Sequence, residues 1–158
     1  MNIKSSIKIA ELEDLPEILS LFVNTIENIC KKEYSPEQIK AWTSSVNNIA
    51  VWKNRITDQY FIVAVYNDQI VGFASLKNND YLDLLYVHKD YQRKGIADLL
   101  YSDIVNKAIN AGASSLTADV SKSAEPFFTK KGFSIQKTQK NIIQNTEIIN
   151  YKMVNFEI

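Results

Sequence analysis

The chain has 158 residues, 46% of them hydrophobic and 23% charged, ordinary globular proportions that exclude a disordered chain and suit one domain over residues 1–158. Lys plus Arg and Asp plus Glu number 18 each, so no net field selects nucleic acid or an anionic membrane surface. A single cysteine, Cys30, excludes an intramolecular disulfide, and a single histidine, His88, excludes a multi-histidine zinc site.

Ile7 to Ala10 reads as a short first strand. Asp14 then stands where a helix cap belongs, with Pro16 in the first turn and Glu17 three residues on. Leu15, Ile18, Leu19, Phe22, Ile26 and Ile29 follow at helical spacing. Ser35-Pro36-Glu37-Gln38 announces a second helix with a capping box, carrying Ile39 and Trp42 inward. Asn47 to Asp58 has weak periodicity and reads as loop with some helix.

A meander comes next. Tyr60 to Tyr66, Ile70 to Lys77 and Tyr81 to Val87 are strands, separated by the turn signals Asn67-Asp68 and Asn78-Asn79-Asp80. Gly72 within the second of these suggests a bulge or a close backbone approach. Ala97, Leu100, Tyr101, Ile104, Val105 and Ala108 form a helical stripe that Gly112 ends. Leu116 to Ser121 is a strand, and Ser123 is expected to cap a short helix running through Lys131 to Gly132. Phe133 to Lys137 and Thr146 to Phe156 close the chain as strands, with a turn at Asn141 to Asn145. The order predicts an α/β (α+β) domain: a mixed sheet with helices on both faces.

The four glycines, Gly72, Gly95, Gly112 and Gly132, lie far apart, which excludes both a GxGxxG dinucleotide turn and a GxxxxGK phosphate loop. No apolar run approaches the ~20 residues of a membrane span. Met1-Asn2-Ile3-Lys4 lacks the apolar stretch of a signal peptide, so a cytoplasmic, non-membrane domain is expected. What remains is the connection Gln92-Arg93-Lys94-Gly95-Ile96-Ala97, which opens the longest helix directly after a strand. A helix N-terminus offers unpaired N–H groups and a partial positive charge to an anion. Gly95 and Ala97 leave room for close approach, and Arg93 and Lys94 add charge. By itself a bare helix start with one glycine is a weak signal, and geometry alone favours an ordinary strand-to-helix connection.

The segment resembles the central acetyl-CoA motif of the GNAT superfamily, Q/R-x-x-G-x-G/A. Ala124-Glu125-Pro126-Phe127-Phe128-Thr129-Lys130-Lys131-Gly132-Phe133 is similar to a second motif of that family, A-x-x-F-Y-x-x-x-G-F. Tyr34 to Gln38 with Ala41-Trp42 further resembles the bacterial YafP-like subgroup. The resemblance implies a mostly antiparallel sheet of about seven strands with a V-shaped splay between the fourth and fifth. It implies acetyl-CoA as co-substrate and no metal. The backbone of Leu85, Tyr86 and Val87 would line the pantetheine arm, and the amides from Gln92 and Arg93 through Lys94, Gly95, Ile96 and Ala97 the pyrophosphate. Ser121, Phe127 and Phe128 would also touch coenzyme, although core packing accounts for the two phenylalanines equally well. Tyr34 and Trp42 would border the acceptor, Trp42 with a plain core role as the alternative.

The expected reaction is direct attack of a primary amine, of a small molecule, on the thioester. An amine of pKa ~10.4 must lose a proton first, which asks for a carboxylate. Strand alternation puts Tyr81, Asp83, Leu85 and Val87 on one face and makes Asp83 the candidate base. Phe128 stands where many family members have the tyrosine that protonates the leaving thiolate. Either Tyr81 or Tyr151 substitutes, or a thiol of pKa ~8.5 leaves unaided. The missing hydroxyl also motivates a rival reading, a non-catalytic acyl-CoA-binding sensor or interaction module. Cys30 reads as a buried apolar residue and His88 as a loop residue. A monomer or homodimer without nucleic-acid or membrane partners completes the expectation.

Overall fold

A computed structural model describes residues 1–158. The strands β1 (Ser6–Ile9), β2 (Tyr60–Tyr66), β3 (Gln69–Lys77), β4 (Tyr81–Val87), β5 (Leu116–Ser121), β6 (Ser134–Ile143) and β7 (Thr146–Asn155) form one sheet in the order β1-β2-β3-β4-β5-β7-β6. Only β4 and β5 run parallel; every other neighbouring pair is antiparallel. The helices are α1 (Leu15–Ile29), α2 (Pro36–Thr43), α3 (Ile49–Asp58), α4 (Ile96–Asn110) and α5 (Glu125–Lys130). None is long and apolar enough to cross a membrane.

Two apolar clusters, one on each face, hold the layers together. On one face Ile18, Phe22 and Ile26 of α1, Ile39 of α2 and Trp52 of α3 pack on Phe61, Phe73 and Leu84. On the other, Ile96, Leu100 and Ile104 of α4 and Phe128 of α5 pack on Ile62, Leu82, Val87 and Ala118. The β2–β3 hairpin turns on Asn67-Asp68 alone and the β3–β4 hairpin on Asn78-Asn79-Asp80; Asn67, Asp68, Asn78 and Asn79 all have positive φ, as tight hairpin turns favour.

The expected mixed sheet and its splay are present, with local corrections. Residues 49–58 are a helix rather than mostly loop; its inward face holds only Trp52 and Ile56, one turn apart, too few to produce a strong periodic signal. Asp14 does precede α1, but its carboxylate turns back to accept from Glu11 N–H and to pair with Lys8. Ser123 caps nothing: α5 starts at Glu125, and the hydroxyl of Ser121 accepts from Ala124 N–H instead. The last two strands extend to a tight turn at Gln144-Asn145, both with positive φ, so Asn141 to Ile143 belong to β6.

The feature that positions the site is the end of the β4–β5 pairing. The two strands pair only at Tyr81–Thr117 and Leu82–Ala118. Opposite β3, Ser75 faces Leu84 while Leu76 faces Leu82, so Asp83 is an extra residue, a β-bulge that bends the strand. From Asp83 onward β4 has no strand partner on its β5 side.

Candidate active site

The strand–helix connection takes its shape from a few enforced backbone angles. Arg93 and Gly95 are both left-handed, with φ of 58° and 84°. At Gly95, the N-cap of α4, a side chain would be strained and its Cβ would lie 2.8 Å from Asn2 Cγ. The N-terminal segment braces this turn, since Ile3 N–H donates to the Lys94 carbonyl. Gln92 has a structural task that the sequence did not disclose: its amide donates to the Val87 carbonyl at 2.7 Å. Thr25 Oγ1 donates to the same carbonyl at 3.0 Å, so both of its lone pairs are taken, and the expected pantetheine contacts rest on the rest of the β4 backbone. Ile96 is 1% exposed and points into the core, which leaves only its amide for a ligand. Lys131 reaches the first turn of α4, pairing with Asp98 at 2.6 Å.

A cavity of about 730 Å³ runs through the splay. On the α4 side its wall includes Gln92, Ala97, Phe127 and Phe128; on the α1 side it includes Ile29, Tyr34, Trp42 and Tyr86. Leu85 and Ser121 line it between, while Arg93, Lys94 and Gly95 lie outside it. Of the residues singled out in the sequence, Leu85, Gln92, Ala97, Ser121, Phe127 and Phe128 therefore share one space with Tyr34 and Trp42, whereas Arg93 to Ile96 do not line it.

The proton-handling candidates divide differently. The bulge breaks the expected alternation: Leu85 and Val87 pack with the α4 cluster, whereas Leu84 and Tyr86 pack with the α1 cluster. Asp83 faces the α1 side, held by Arg55 Nε at 3.2 Å and Gln59 Nε2 at 2.8 Å, with its side chain 16% exposed. Tyr81 and Tyr151 do not line the cavity. The Tyr81 hydroxyl donates to Asp119 at 2.6 Å, and burial, helped by that carboxylate, pushes its pKa up. Tyr151 packs against the α4 cluster. The tyrosines that do line the cavity are Tyr34 and Tyr86. Tyr34 donates to the Ile149 carbonyl and accepts from Lys122 N–H, tying the start of α2 to β7 and to the end of β5. Tyr86 stands edge-on to Phe22, and burial pushes its hydroxyl's pKa up. Asp119 lines the cavity too and was not anticipated; the signal available was its place in β5, three residues past the strand's start on the face opposite Leu116, Ala118 and Val120.

Cys30 is buried in the cavity wall, and burial raises its thiol pKa, which disfavours a nucleophilic thiolate. His88 lies outside, its Nδ1 accepting from Asp90 N–H. No three His, Cys, Asp or Glu side chains gather in a way that could hold a metal ion.

A splayed sheet in which β4 lacks a partner past Leu82 and leads into a bare helix start defines a class, and comparison with known proteins gives the same one. The family described as "Acetyltransferase (GNAT) domain" matches residues 30–154. The chain belongs to this family of acetyl-CoA-binding acetyltransferases. It is 31% identical over 140 residues to the uncharacterized N-acetyltransferase YafP of Escherichia coli (strain K12), covering 89% of this chain and 88% of that one. It is similar to the crystal structure of a GCN5-related N-acetyltransferase from Rhodopseudomonas palustris, with 31% identity, a TM-score of 0.95, and 99% and 98% of the two chains covered. The PaiA N-acetyltransferase of Thermoplasma acidophilum, solved with coenzyme A, shares the fold at 20% identity with a TM-score of 0.82 over 98% and 99% of the chains.

Proposed function

We propose that this protein transfers the acetyl group of acetyl-CoA to the primary amine of a small molecule by direct attack. The observation that carries the reading is the cavity passing through the β4–β5 splay, with the free start of α4 at one side and an apolar pocket at the other. The relative from Thermoplasma acidophilum, solved with coenzyme A, supports the same choice of coenzyme. The pantetheine arm lies along β4 beside Leu85 and Tyr86 like an added strand, and amides from Gln92 through Arg93, Lys94, Gly95, Ile96 and Ala97 receive the pyrophosphate. Ser121, Phe127 and Phe128 flank the arm, and Tyr34 and Trp42 border the acceptor. A backbone N–H near Leu85 stabilises the oxyanion. The lone cavity thiol, buried in Cys30, favours direct attack over an acyl-enzyme.

A carboxylate on the α1 side accepts the amine's proton, directly or through water. Asp83 is the sequence-based choice, and its tie to Arg55 suits it to orienting the amine or that water. For the leaving thiolate, Tyr81 and Tyr151 are outside the cavity wall, whereas Tyr86 lines it and burial keeps its hydroxyl protonated. A non-catalytic acyl-CoA sensor is favoured by a single observation: Phe128, 4% exposed, has no hydroxyl to offer.

Calorimetric titration with acetyl-CoA, coupled to thiol detection across a panel of primary amines, tests the proposal. Saturable binding, lost in Ala97→Trp, and amine-dependent release of coenzyme A are expected. Binding without release for every amine supports the sensor, and no binding sinks both readings.

A further inference from the structure

Only two carboxylates line the cavity, and they are not equivalent. Asp83 on β4 has its charge compensated by Arg55. Asp119 on β5 stands across the mouth of the splay and pairs with no cation. Its two oxygens are held by neutral donors, Oδ2 by the Tyr81 hydroxyl at 2.6 Å and Oδ1 by Gln139 Nε2 at 2.8 Å. Gln139 is itself fixed by Asn150 Oδ1, which Asn141 Nδ2 also holds, so the chain of bonds runs across β5, β7 and β6. Two neutral donors orient a carboxylate without cancelling its charge.

The direction of Asp119 follows from its strand. Leu116, Ala118 and Val120 pack with the α4 cluster, so Asp119 projects to the opposite face. That face carries Ile29, Trp42, Tyr86 and Ile143, the apolar walls of the acceptor half. An apolar pocket with one fixed anion at its solvent-exposed rim, outside any ion pair, suits a ligand with an apolar body and one ammonium. The other charges nearby are Lys140, in the cavity wall, and Lys152, opposite Asp119 in register; neither is bonded to it.

We propose that Asp119 anchors the ammonium of an acceptor amine with an apolar body, and that Tyr81 and Gln139 position its carboxylate. This rests on the acetyl-transfer reading for its place in a reaction, though the binding itself does not. The bound ammonium gives one proton through the solvent-open side of Asp119 to water, and the neutral nitrogen then attacks the thioester carbon. As the C–S bond breaks, the second nitrogen proton goes to the departing sulfur, leaving an amide and coenzyme A.

The test uses phenethylamine and its neutral counterpart 2-phenylethanol, titrated by calorimetry into the protein saturated with coenzyme A. Thiol release from acetyl-CoA is measured in parallel. The wild type is expected to prefer the amine over the alcohol at least tenfold, and Asp119→Asn to erase that preference while binding acetyl-CoA as before. Tyr81→Phe and Gln139→Ala are expected to raise the KM for the amine more than they lower kcat. No amine binding by the wild type, or an intact preference in Asp119→Asn, overturns the proposal. So does an equal loss of acetyl-CoA binding in that variant, which would mark a structural residue. Amine binding that depends on Asp119 without any release of coenzyme A would leave the anchor standing and refute the transfer reading instead.

Discussion

Gly72 links the packing of the sheet to the α4 side of the cavity, and Gly72→Ala exposes that link. A Cβ there would lie 2.9 Å from Ile96 Cγ2, 3.0 Å from Leu100 Cδ1 and 3.1 Å from the Tyr86 carbonyl oxygen. Carbon atoms at rest sit about 3.5–4.0 Å apart, so the helix must retreat by roughly half an ångström or more. The Tyr86 oxygen belongs to the backbone and cannot rotate away. Overpacking of this kind costs about 1–3 kcal/mol. For a domain of this length that is a fall in Tm of roughly 2–12 °C. Ile96 is the first residue of α4, so the same retreat moves the amides proposed to hold pyrophosphate, and acetyl-CoA should bind more weakly as well. Thermal unfolding and calorimetry read the two effects separately. Ile96→Ala removes the closest obstacle, so the double variant should lose less stability than the two single losses added together. An unchanged Tm and coenzyme affinity in Gly72→Ala would refute the argument that this glycine sets the α4–sheet distance.

Other perturbations test neighbouring parts of the site. Tyr34→Phe strips a hydroxyl that satisfies Ile149 C=O and Lys122 N–H together, and denaturant unfolding should show a loss of about 1–3 kcal/mol. Arg55→Ala leaves Asp83 uncompensated at 16% exposure and removes a cation stacked 4.8 Å from the Trp52 ring, so its Tm should fall further than that of Asp83→Asn/Arg55→Ala. The Tyr60 hydroxyl, whose pKa is pushed up to about 12 by burial and by Asp103, should be among the last tyrosines to ionise in an ultraviolet titration. An unfolded tyrosine ionises near ~10. Above that pH the unfolded chain has released a proton that the folded one still holds, so this contribution to stability is present below pH ~10 and lost as pH rises toward 12.

Where local chemistry decides conformation, the sequence was sufficient. The Ser35–Gln38 capping box, the paired Asn and Asp turns and the apolar stripe of α4 each depend on residues a few positions apart, so element order and the family motifs could be read directly. The helix start at Gly95-Ile96 also belongs here, because a glycine opening a helix is a short-range signal, although the bracing of the turn by Asn2 and Ile3 is not.

Tertiary structure decided the rest, for identifiable reasons. The face on which Asp83 lies depends on a bulge set by the β3–β4 register, and strict alternation cannot anticipate an inserted residue. Whether its charge is free depends on Arg55, which is 28 positions away in a helix whose weak periodicity reads as loop with some helix. Asp119 acquires its interest only because Tyr81 and Gln139 arrive from other strands to fix it. Motifs point to a coenzyme position because the contacts proposed for it are mainly backbone and local. The pocket proposed for the acceptor is built from side chains that meet only when the sheet closes, and the charge balance within it exists only after folding.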